Sequence, residues 1–567
     1  MSILGKNWNI KNRDPNMGIA DKLLANRGLE EKAQIQEYLY PSYRKGFHNP
    51  FLMKDMDKAI ERIKKGVADK ERILIFGDYD VDGITGTAIL YHTLNTLGAK
   101  VSYRLPHRMK DGYGLSNAFV EEFARVGATL IITVDCGISC AQQIELAKGY
   151  GIDTIITDHH TIPEKFPRDA YAILHPRQPG CEYPFKGLTG AGVAFKLASA
   201  LITDKYNGDE KDNYLFSLLD LASLGTVADI GPIRDENRII VKYGLEALKD
   251  TKWVGLKYLK EQAGILPDEK MSISTIGYRI SPRINAAGRI DHPYYSLQLL
   301  LNTAEEEERG KLLAKRLEKL NQDRQQMVFH ALEDAEKQFL AKRSDKIFVG
   351  WNPDWHVGIL GLIAGKFVEK YQVPCFIMQD FGDYLVGSVR CPEGFNAVEA
   401  LTNKCEYLEH FGGHAQAAGF NIRKEKLLGF VDAITDFAEK NFQPASLKRT
   451  LEIDCELQPD EINEGLMKFM EQMEPFGVGN EQPMFLLRNV SHQFLKRVGK
   501  EKNHLSFLAQ FGPRKFSTIA YKMGQYESDL PAQATGFNMV CHLDRNEWKG
   551  RSQIQFRAVD FGVQEKP

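Results

Sequence analysis

Short apolar runs that do not alternate with polar residues recur in the first half of the chain, each followed by a polar loop and a helical stretch. The runs are ILIF (73–76), VSYRL (101–105), TLIITVD (129–135) and DTIITDHH (153–160). Such strands are buried on both faces, and their alternation with helices at short spacing is typical of a parallel, doubly wound sheet. The pattern therefore predicts an α/β domain at residues 70–245.

Outside this domain the pattern of the chain changes several times. Residues 1–69 indicate a mostly helical lead-in, and residues 246–344 a helical region. Within that region, a run rich in Glu, Lys, Arg and Leu from about 299 to 342 predicts one long connecting helix, rather than a coiled coil, because its heptad pattern is not sustained. Residues 345–445 form a second α/β segment. Residues 450–567 have short strands, frequent turns and many aromatic residues, which predict a small β-barrel.

Composition restricts the class of protein. The 567 residues are 43% hydrophobic and 26% charged, which fits a soluble globular protein, and no apolar stretch approaches the ~18 residues of a membrane span. The eight cysteines form no CxxC pair, and we see no secretory apolar core, so we expect a cytoplasmic protein without a membrane partner. Because the net charge is −2, any basic surface for nucleic acid must be local.

Acidic residues and histidines follow the predicted strands, at the edge where ligands bind in a doubly wound sheet. They are Asp78, Asp80 and Asp82 after the first run, Asp135 after the third, Asp158, His159 and His160 after the fourth, and Asp229 at the end of a later helix. A single Asp at such a place is often only a helix cap. That alternative does not account for carboxylates at successive strand ends.

These carboxylates predict a metal centre. Close carboxylates repel one another and stay ionised only if cations neutralise them. Asp and His ligands without a thiolate suit Mn²⁺ or Mg²⁺ better than Zn²⁺, and five or six ligands are too many for one ion. We therefore expect two ions, about 3.5–4 Å apart, an arrangement that activates water for attack on a phosphoester.

Six motifs in order resemble the DHH phosphoesterase superfamily. They are GDYDVDG (77–83), VDCG (134–137), TDHHT (157–161), GTVADI (225–230), SPRINAAGRI (281–290) and FGGHAQAAGF (411–420). With the barrel, the resemblance covers about residues 70–565 and is to the bacterial exonucleases specific for single-stranded DNA. It implies a catalytic DHH domain (70–245), a DHH-associated domain (345–445) and an OB-fold that binds nucleic acid (450–567).

The resemblance also implies roles for individual residues. The metal ligands would be Asp80, Asp82, Asp135, His159 and Asp229. Asp135 would bridge the two ions, His160 would contact the scissile phosphate, and Asp158 would orient a histidine. Asp78 stands where branches of the superfamily differ, so we group it with the catalytic residues and leave its role open.

A substrate site is expected from the second half of the chain together with one earlier loop. Arg108, Tyr113, Ser388 and Arg390 resemble a pocket for a 5′-phosphate, Arg283, Asn285 and Arg289 suit the nucleic-acid backbone, and His414 would face the cleft between the two α/β domains. The alternatives are surface salt bridges for the arginines and a buried structural role for His414.

The barrel segment interleaves cations with aromatic residues. The cations that we expect to bind nucleic acid are Lys496, Arg497, Lys500 and Lys502, and the aromatic residues near them are Phe494, Phe507, Phe511, Phe516 and Tyr521. Cations follow a phosphate chain and aromatic faces stack on unpaired bases, as OB-folds do with single strands. The alternative is that the aromatic residues form the barrel core and the lysines a solvated face.

The resemblance implies a two-metal exonuclease that degrades single-stranded DNA from 5′ to 3′, releases 5′-mononucleotides and acts in DNA repair and recombination. We expect a monomer whose partners are single-stranded DNA, a single-strand-binding protein and a helicase. Two alternatives stay open: a DHH phosphodiesterase of short oligonucleotides or cyclic dinucleotides, and a non-catalytic DHH-type DNA-binding scaffold. The length and the barrel favour the exonuclease, and the intact carboxylates and histidines argue against a scaffold.

Overall fold

The computed structural model describes residues 2–342, 346–443, 450–531, 535–548 and 551–562. The chain divides into two compact units. One unit combines Met1–Ser42 with Ala445–Pro567, and the other comprises Tyr43–Pro444. The first 42 residues therefore fold with the C-terminal segment, a long-range association that the sequence pattern did not predict.

The helices are numbered here in chain order. They are α1 (Ile19–Ala25), α2 (Lys32–Leu39), α3 (Met56–Ala68), α4 (Val81–Thr96), α5 (Asn117–Arg125), α6 (Ala141–Gly149), α7 (Gly190–Leu201), α8 (Gly208–Phe216), α9 (Leu219–Ala228), α10 (Asp235–Lys249), α11 (Val254–Gln262), α12 (Ile273–Thr275), α13 (Ser281–Ile290), α14 (Tyr294–Leu300), α15 (Glu307–Lys342), α16 (Leu360–Tyr371), α17 (Ala397–Thr402), α18 (Leu427–Asn441) and α19 (Glu464–Met473). Across the described ranges, none has both the length and the apolar character that crossing a bilayer requires.

The strands are numbered in the same way. They are β1 (Asn7–Ile10), β2 (Arg72–Gly77), β3 (Lys100–Arg104), β4 (Leu130–Val134), β5 (Asp153–Thr157), β6 (Ala172–Leu174), β7 (Phe348–Asn352), β8 (Cys375–Asp380), β9 (Tyr384–Arg390), β10 (Leu408–His414), β11 (Ala417–Arg423), β12 (Thr450–Ile453), β13 (Cys455–Glu456), β14 (Phe485–Val498), β15 (His504–Phe511), β16 (Arg514–Ala520), β17 (Phe537–Trp548) and β18 (Arg551–Gly562).

The four predicted strands join a parallel sheet in the order β3-β2-β4-β5-β6. Ile73 and Ile75 of β2 pack with α3, α4 and α7 on one face, while Leu74 and Phe76 pack with α5 and α6 on the other. The continuous apolar run is thus buried on both sides, and the doubly wound α/β fold is confirmed. The strand order reverses between β2 and β4, so a ligand-binding crevice is expected at their carboxyl ends.

The second α/β segment forms a sheet in the order β10-β11-β9-β8-β7, in which only β7 and β8 are parallel among the described strands. The predicted single helix from about 299 was wrong at its start, because α14 ends at Leu300 and α15 begins at Glu307. The side chain of Asn302 donates a hydrogen bond to the carbonyl of Glu306 (2.9 Å). Such local side-chain bonding competes with helix formation.

The C-terminal segment forms a barrel in the order β13-β14-β15-β16-β18-β17, which the pairing of β14 with β17 closes. In the same unit, β1 pairs in parallel with β12, and Ser2 forms a bridge with Gly562. Leu23 and Leu24 of α1 are buried in the barrel core. This burial explains why the first residues of the chain belong to the C-terminal unit.

Candidate active site

The carboxyl ends of β2, β4 and β5 bring the predicted ligands together. Two groups of ligand atoms lie there, with the atoms of each group within 4.8 Å of one another: Asp78, Asp80 and Asp135 in one, and Asp82, His159 and Asp229 in the other. A third group, of Asp135, His159 and His160, overlaps both. Asp135 connects the groups, since its Oδ1 lies 3.1 Å from Nε2 of His159. The arrangement has the form of two adjacent cation sites that share Asp135, and it groups Asp78 with the ligands.

The electrostatics of this cluster fit divalent cations. Burial, followed by the negative charge of neighbouring carboxylates such as Asp80, raises the pKa of Asp78, Asp82 and Asp135 well above the usual range. Within the described part of the chain, Oδ1 of Asp78, Oδ1 of Asp135 and Nε2 of His159 are buried without a hydrogen-bond partner. Oxygen-rich sites with an imidazole and no thiolate suit Mn²⁺ or Mg²⁺.

The first turn of α7 holds Asp82 in place. Its Oδ1 accepts hydrogen bonds from the Thr189 hydroxyl (3.0 Å) and the Ala191 N–H (2.9 Å), and its Oδ2 accepts one from the Gly190 N–H (2.6 Å). A helix N-terminus stabilises a carboxylate in this position. Gly190 is also required sterically, because a Cβ there would lie 2.5 Å from Cβ of Asp135. The α7 terminus thus packs directly against the centre of the cluster.

Asp135 has a left-handed backbone, with φ of 60°. This conformation costs a residue other than Gly about 1–3 kcal/mol and persists only where the surroundings impose it. Here the N–H of Asp135 donates to the carbonyl of Thr157 (2.9 Å), and its own carbonyl accepts from the Tyr113 hydroxyl (3.2 Å). Bonds from two directions therefore hold the strained residue at the point where the two ligand groups meet.

Asp80 caps a helix and also belongs to the first group of ligand atoms. Its Oδ1 accepts the N–H groups of Asp82 (3.0 Å) and Gly83 (3.1 Å), so it caps α4 as the helix-cap alternative predicts. A carboxylate has two oxygens, and Oδ2 accepts no hydrogen bond from the described residues. The cap therefore orients Asp80 without removing it from the ligand set.

The two adjacent histidines have different environments. Burial alone would lower the pKa of His160. The hydrogen bond between its Nδ1 and Oδ1 of Asp158 (2.8 Å), together with the charge of Asp158, outweighs burial and raises the pKa of His160 to about 9. Burial and the charge of His160 lower the pKa of His159 to about 3, so His159 is neutral, as a metal ligand must be. Asp158 thus orients His160.

Two residues that sequence reasoning missed hold the backbone of these histidines. Nε2 of His175 lies 2.8 Å from the carbonyl oxygen of His160, and the guanidinium of Arg177 donates to the carbonyl of His159. His175 is fully buried. Both follow β6, the next strand of the parallel sheet. The sequence signal that could have revealed them is one more apolar run followed by polar residues, AIL (172–174) and then His175-Pro176-Arg177.

A cavity of about 210 Å³ lies beside the metal-ligand cluster and contains all four residues predicted to bind a 5′-phosphate. Its lining includes Arg108, Tyr113, Ser388 and Arg390, together with Tyr79 and the backbone at the start of α16. The guanidinium of Arg108 lies 4.9 Å from the centre of the Tyr79 ring, and Nη1 of Arg390 donates to the Ser388 hydroxyl (3.2 Å). Tyr113 links cavity and cluster, since its hydroxyl lies 3.2 Å from Nδ1 of His160.

The other predicted substrate residues are dispersed. Arg283 forms an ion pair with Glu318 of α15, which engages its guanidinium in helix packing, as the salt-bridge alternative predicts. Asn285 is half-buried on α13. Arg289, one turn further, donates to the carbonyl of Gly358 in the cavity wall (3.3 Å). His414 is exposed at the end of β10, outside the cavity lining, so its function stays a prediction.

Models of three domain families match the chain in the order that the fold shows. The DHH family N-terminal domain matches residues 72–226, the DHHA1 domain 344–440 and the RecJ OB domain 453–560. The chain is 34% identical to the single-stranded-DNA-specific exonuclease RecJ of Bacillus subtilis, over 96% of this chain and 68% of that protein. It is 33% identical to that of Escherichia coli, over 82% of each. The chain belongs to the RecJ family.

Solved structures of RecJ confirm this assignment at the level of the fold. RecJ of Thermus thermophilus in complex with Mn²⁺ matches with a TM-score of 0.82 and 28% identity, over 99% of this chain and 80% of that one. The Mg²⁺ complex matches with a TM-score of 0.76 and 27% identity, over 99% and 79%. The predicted DHH domain, DHH-associated domain and OB-fold are therefore those of RecJ.

The OB-fold of this RecJ family member separates its aromatic residues into two sets. Phe507, Phe511 and Phe516 are buried in the barrel core, as the structural alternative predicts. Phe494 and Tyr521 are instead 77% and 56% exposed. Phe494 lies in a β-bulge of β14 with φ of 56°, a strained conformation for a bulky side chain. The bulge displays an aromatic face to solvent, as a base-stacking residue requires.

Three of the four predicted cations of the barrel are exposed and unpaired among the described residues: Lys496, Lys500 and Lys502. The fourth, Arg497, forms an ion pair with Glu527 (2.7 Å). Because Lys496 follows the bulge directly, positive charge and an exposed aromatic face occur together on this part of β14. The three lysines are therefore the better candidates for phosphate contacts.

Proposed function

We propose that this chain is an exonuclease specific for single-stranded DNA, which uses two Mn²⁺ or Mg²⁺ ions to release 5′-mononucleotides from 5′ to 3′ in DNA repair and recombination. The observation that carries the proposal is the pair of ligand groups around Asp135, next to an arginine-lined cavity. Membership of the RecJ family supports the substrate, and the Mn²⁺ and Mg²⁺ complexes of the Thermus thermophilus relative support the metals.

The residues at the centre fit the chemistry of phosphodiester hydrolysis. Two bound divalent ions supply a nucleophile from water and stabilise the charge that develops on the phosphate. Asp78, Asp80, Asp82, Asp135, His159 and Asp229 would hold these ions. Because Asp158 engages Nδ1 of His160, Nε2 of that ring remains to donate a hydrogen bond to a phosphate oxygen.

The position of the cavity supports the proposed 5′ to 3′ polarity and the mononucleotide product. Tyr79 lines the cavity and stands between Asp78 and Asp80 in the chain, so the cavity begins one residue from the metal ligands. A strand whose terminal phosphate is bound by Arg108 and Arg390 would present a phosphodiester near its 5′ end to the metal centre. Attack at the next phosphodiester then releases a 5′-mononucleotide.

End-labelled oligonucleotides test the proposal directly. Single strands labelled at the 5′ or the 3′ end are incubated with the protein and Mn²⁺. We expect the 5′ label to appear at once as a mononucleotide and the 3′ label to shorten progressively. A 3′ label released first, or internal cuts, would contradict the polarity, and no hydrolysis in Mn²⁺ or Mg²⁺ would support the scaffold alternative.

The cavity predicts a preference for 5′-phosphorylated ends. A charge-assisted contact with phosphate contributes roughly 1.5–3 kcal/mol, or about ten- to a hundredfold in kcat/KM. We expect the wild type to favour a 5′-phosphate over a 5′-hydroxyl by such a factor and Arg390→Gln to lose most of it. The exposed Arg168→Gln is the matched control and should keep the full preference. Equal rates of the wild type on 5′-phosphate and 5′-hydroxyl substrates would contradict the assignment of the cavity as a 5′-phosphate pocket.

The exposed lysines of β14 and the following loop predict a salt effect on binding of a long single strand. Each phosphate contact contributes about 0.7 to the slope of log affinity against log salt. Replacing Lys496, Lys500 and Lys502 by Gln should reduce that slope by up to about 2 and leave hydrolysis of a trinucleotide unchanged. Lys11, Lys32 and Lys468, exposed in the same unit, give the matched triple control. An unchanged slope would show that these lysines do not contact phosphate and are only solvated surface residues.

The remaining expectations complete the proposal. We propose the domain boundaries 70–245, 345–445 and 450–567, which the family matches support. We also propose a cytoplasmic location, which the eight free cysteines suit. A monomer that works with a helicase and a single-strand-binding protein fits an enzyme that requires an unpaired strand.

A further inference from the structure

Helix α9 ends beside the metal-ligand cluster with a motif that usually contains glycine. The N–H of Ile230 donates to the carbonyl of Val227 (3.2 Å), and the N–H of Gly231 donates to that of Thr226 (2.9 Å). This pair of bonds is a Schellman motif, in which the residue after the helix cap has a left-handed backbone. The same pair of bonds closes α4, α5, α6 and α11, and these helices have glycine at that position: Gly98, Gly127, Gly151 and Gly264, respectively.

Ile230 is strained in this position. Its φ is 58°, a region in which a β-branched side chain is a genuine outlier. Its side chain is 68% exposed, so burial of apolar surface does not offset the strain. Residues with strained backbones cluster at active sites and ligand clamps. A function of the exposed side chain would explain why the chain does not use glycine here.

Ile230 lies on the open side of the metal-ligand cluster. It directly follows Asp229, whose Oδ2 lies 3.5 Å from Nε2 of His159. The side chains of Asp229 and His160 are about one-third exposed, whereas that of Asp135, at the centre of the cluster, is buried. A strand has to approach the ions from the side on which their ligands reach solvent. The exposed side chain of Ile230 therefore lies beside the path of the substrate.

The backbone on the other side of Ile230 is also fixed. A Cβ on Gly231 would lie 2.7 Å from Cγ2 of Thr189, so these two residues pack closely. Thr189 in turn donates its hydroxyl to Oδ1 of Asp82 (3.0 Å). Ile230 is thus held between Asp229 and the residue that supports Asp82, which sets its position relative to the proposed ions.

We propose that the side chain of Ile230 contacts the deoxyribose beside the scissile phosphate and makes hydrolysis selective for a deoxyribonucleotide over a ribonucleotide at that place. This inference rests on the proposed function. The sugar carbons are the apolar atoms bonded nearest to a phosphate in a nucleic-acid strand, and they suit an aliphatic side chain. A ribose adds a 2′-hydroxyl, whose hydrogen bonds an isoleucine does not replace when the contact excludes water.

The substitution Ile230→Gly separates the strain from the contact. Glycine adopts the left-handed conformation without steric cost, so the variant should melt about 1–3 °C above the wild type. It also removes the apolar contact, so kcat/KM on single-stranded DNA in Mn²⁺ should fall by about three- to tenfold, the value for half-burying an isoleucine side chain. A residue with only a structural role would not combine higher stability with lower activity.

Lys70 provides a matched control in the same unit. It occupies the same position after α3, with φ of 55° and the same hydrogen bonds, from its own N–H to Val67 (3.3 Å) and from the N–H of Glu71 to Gly66 (2.9 Å). It precedes β2, at the opposite end of that strand from the metal ligands. Lys70→Gly should therefore raise the melting temperature similarly and leave hydrolysis unchanged. Ile230→Val, which keeps the strain and most of the apolar surface, should melt and hydrolyse nearly as the wild type does.

Strands that contain one ribonucleotide test the selectivity. A set of 5′-phosphorylated DNA 12-mers carries a single ribonucleotide at position 1, 2 or 3, and kcat/KM for release of the first nucleotides is compared with that of the all-DNA strand. We expect one position to slow the wild type by at least about fivefold, because its hydroxyl is left unsatisfied. Ile230→Gly should lose most of this difference, since it leaves room for water beside the hydroxyl. Lys70→Gly and Ile230→Val should keep it.

The outcomes distinguish this inference from the proposed function. Equal rates of the wild type on all four strands, or an Ile230→Gly variant that hydrolyses DNA as fast as the wild type, would overturn the sugar contact and leave the exonuclease intact. A loss of Mn²⁺ affinity by Ile230→Gly in calorimetric titration would also overturn it, because the residue would then act by positioning Asp229. Failure of the wild type to hydrolyse any single strand would instead overturn the proposed function.

Discussion

Asp135→Ala should abolish hydrolysis of single-stranded DNA while the protein stays folded. Asp135 is the residue at which the two ligand groups meet, so its loss removes a ligand from both cation sites at once. Each cation contributes several kcal/mol of charge stabilisation in the transition state, so we expect a loss of more than about a thousandfold in kcat. Single-turnover hydrolysis of a labelled strand in Mn²⁺ measures it.

Two further measurements make this result specific to the metal centre. In a chelator, Asp135→Ala should melt close to the wild type, because the loss of one of several mutually repelling carboxylates offsets the cost of placing Ala at a positive φ. Added Mn²⁺ should then stabilise the wild type far more than the variant. Asp209→Ala, which removes a surface carboxylate, is the matched control. Near wild-type hydrolysis by folded Asp135→Ala would refute the two-metal assignment.

Substitution of the two adjacent histidines should affect different quantities, metal affinity for one and rate for the other. His159→Ala removes a neutral ligand, so Mn²⁺ affinity should fall by more than about tenfold. His160→Ala removes a donor that faces the phosphate, so kcat should fall by about a hundred- to a thousandfold with metal affinity nearly unchanged. Calorimetric titration with Mn²⁺ and single-turnover rates, measured on both variants, separate the two effects.

The hydrogen bond from Asp158 supplies the control for this prediction. Asp158→Asn retains the shape but removes the charge that favours protonated His160, so it should resemble His160→Ala in rate and not in metal affinity. If His160→Ala lost Mn²⁺ as completely as His159→Ala, both histidines would be ligands and the assignment would be wrong.

The sheet and the proximity of most of the proposed ligands were predictable because both follow from local sequence. ILIF is apolar at every position, which fixes a strand buried on both faces, and Asp78, Asp80 and Asp82 follow that strand in the chain. The parallel register then brings Asp135 and His159 to the same edge. Asp229 is the exception, because it follows helix α9 and strand order does not place it.

The rest of the site depends on contacts that a linear sequence does not specify. Arg283 and Arg289 stand six residues apart in one motif, yet a Glu318 on another helix engages the first in an ion pair. His175 and Arg177 act on backbone carbonyls, so no complementary side chain in the sequence points to them. Phe494 is exposed because it lies in a β-bulge, and a bulge produces no periodic pattern of hydrophobic residues in the sequence.

The parallel pairing of β1 with β12 has a consequence for synthesis of the chain. Residues 7–10 emerge from the ribosome roughly 440 residues before their partners at 450–453. At about 5–20 residues per second, the nascent segment waits some 20–90 s with its strand unpaired and the apolar side chains of α1 exposed. The Tyr43–Pro444 unit is synthesised during that wait. The barrel unit can therefore be completed only after this whole insert has been made, and a chaperone that shields the first 42 residues would act throughout that interval.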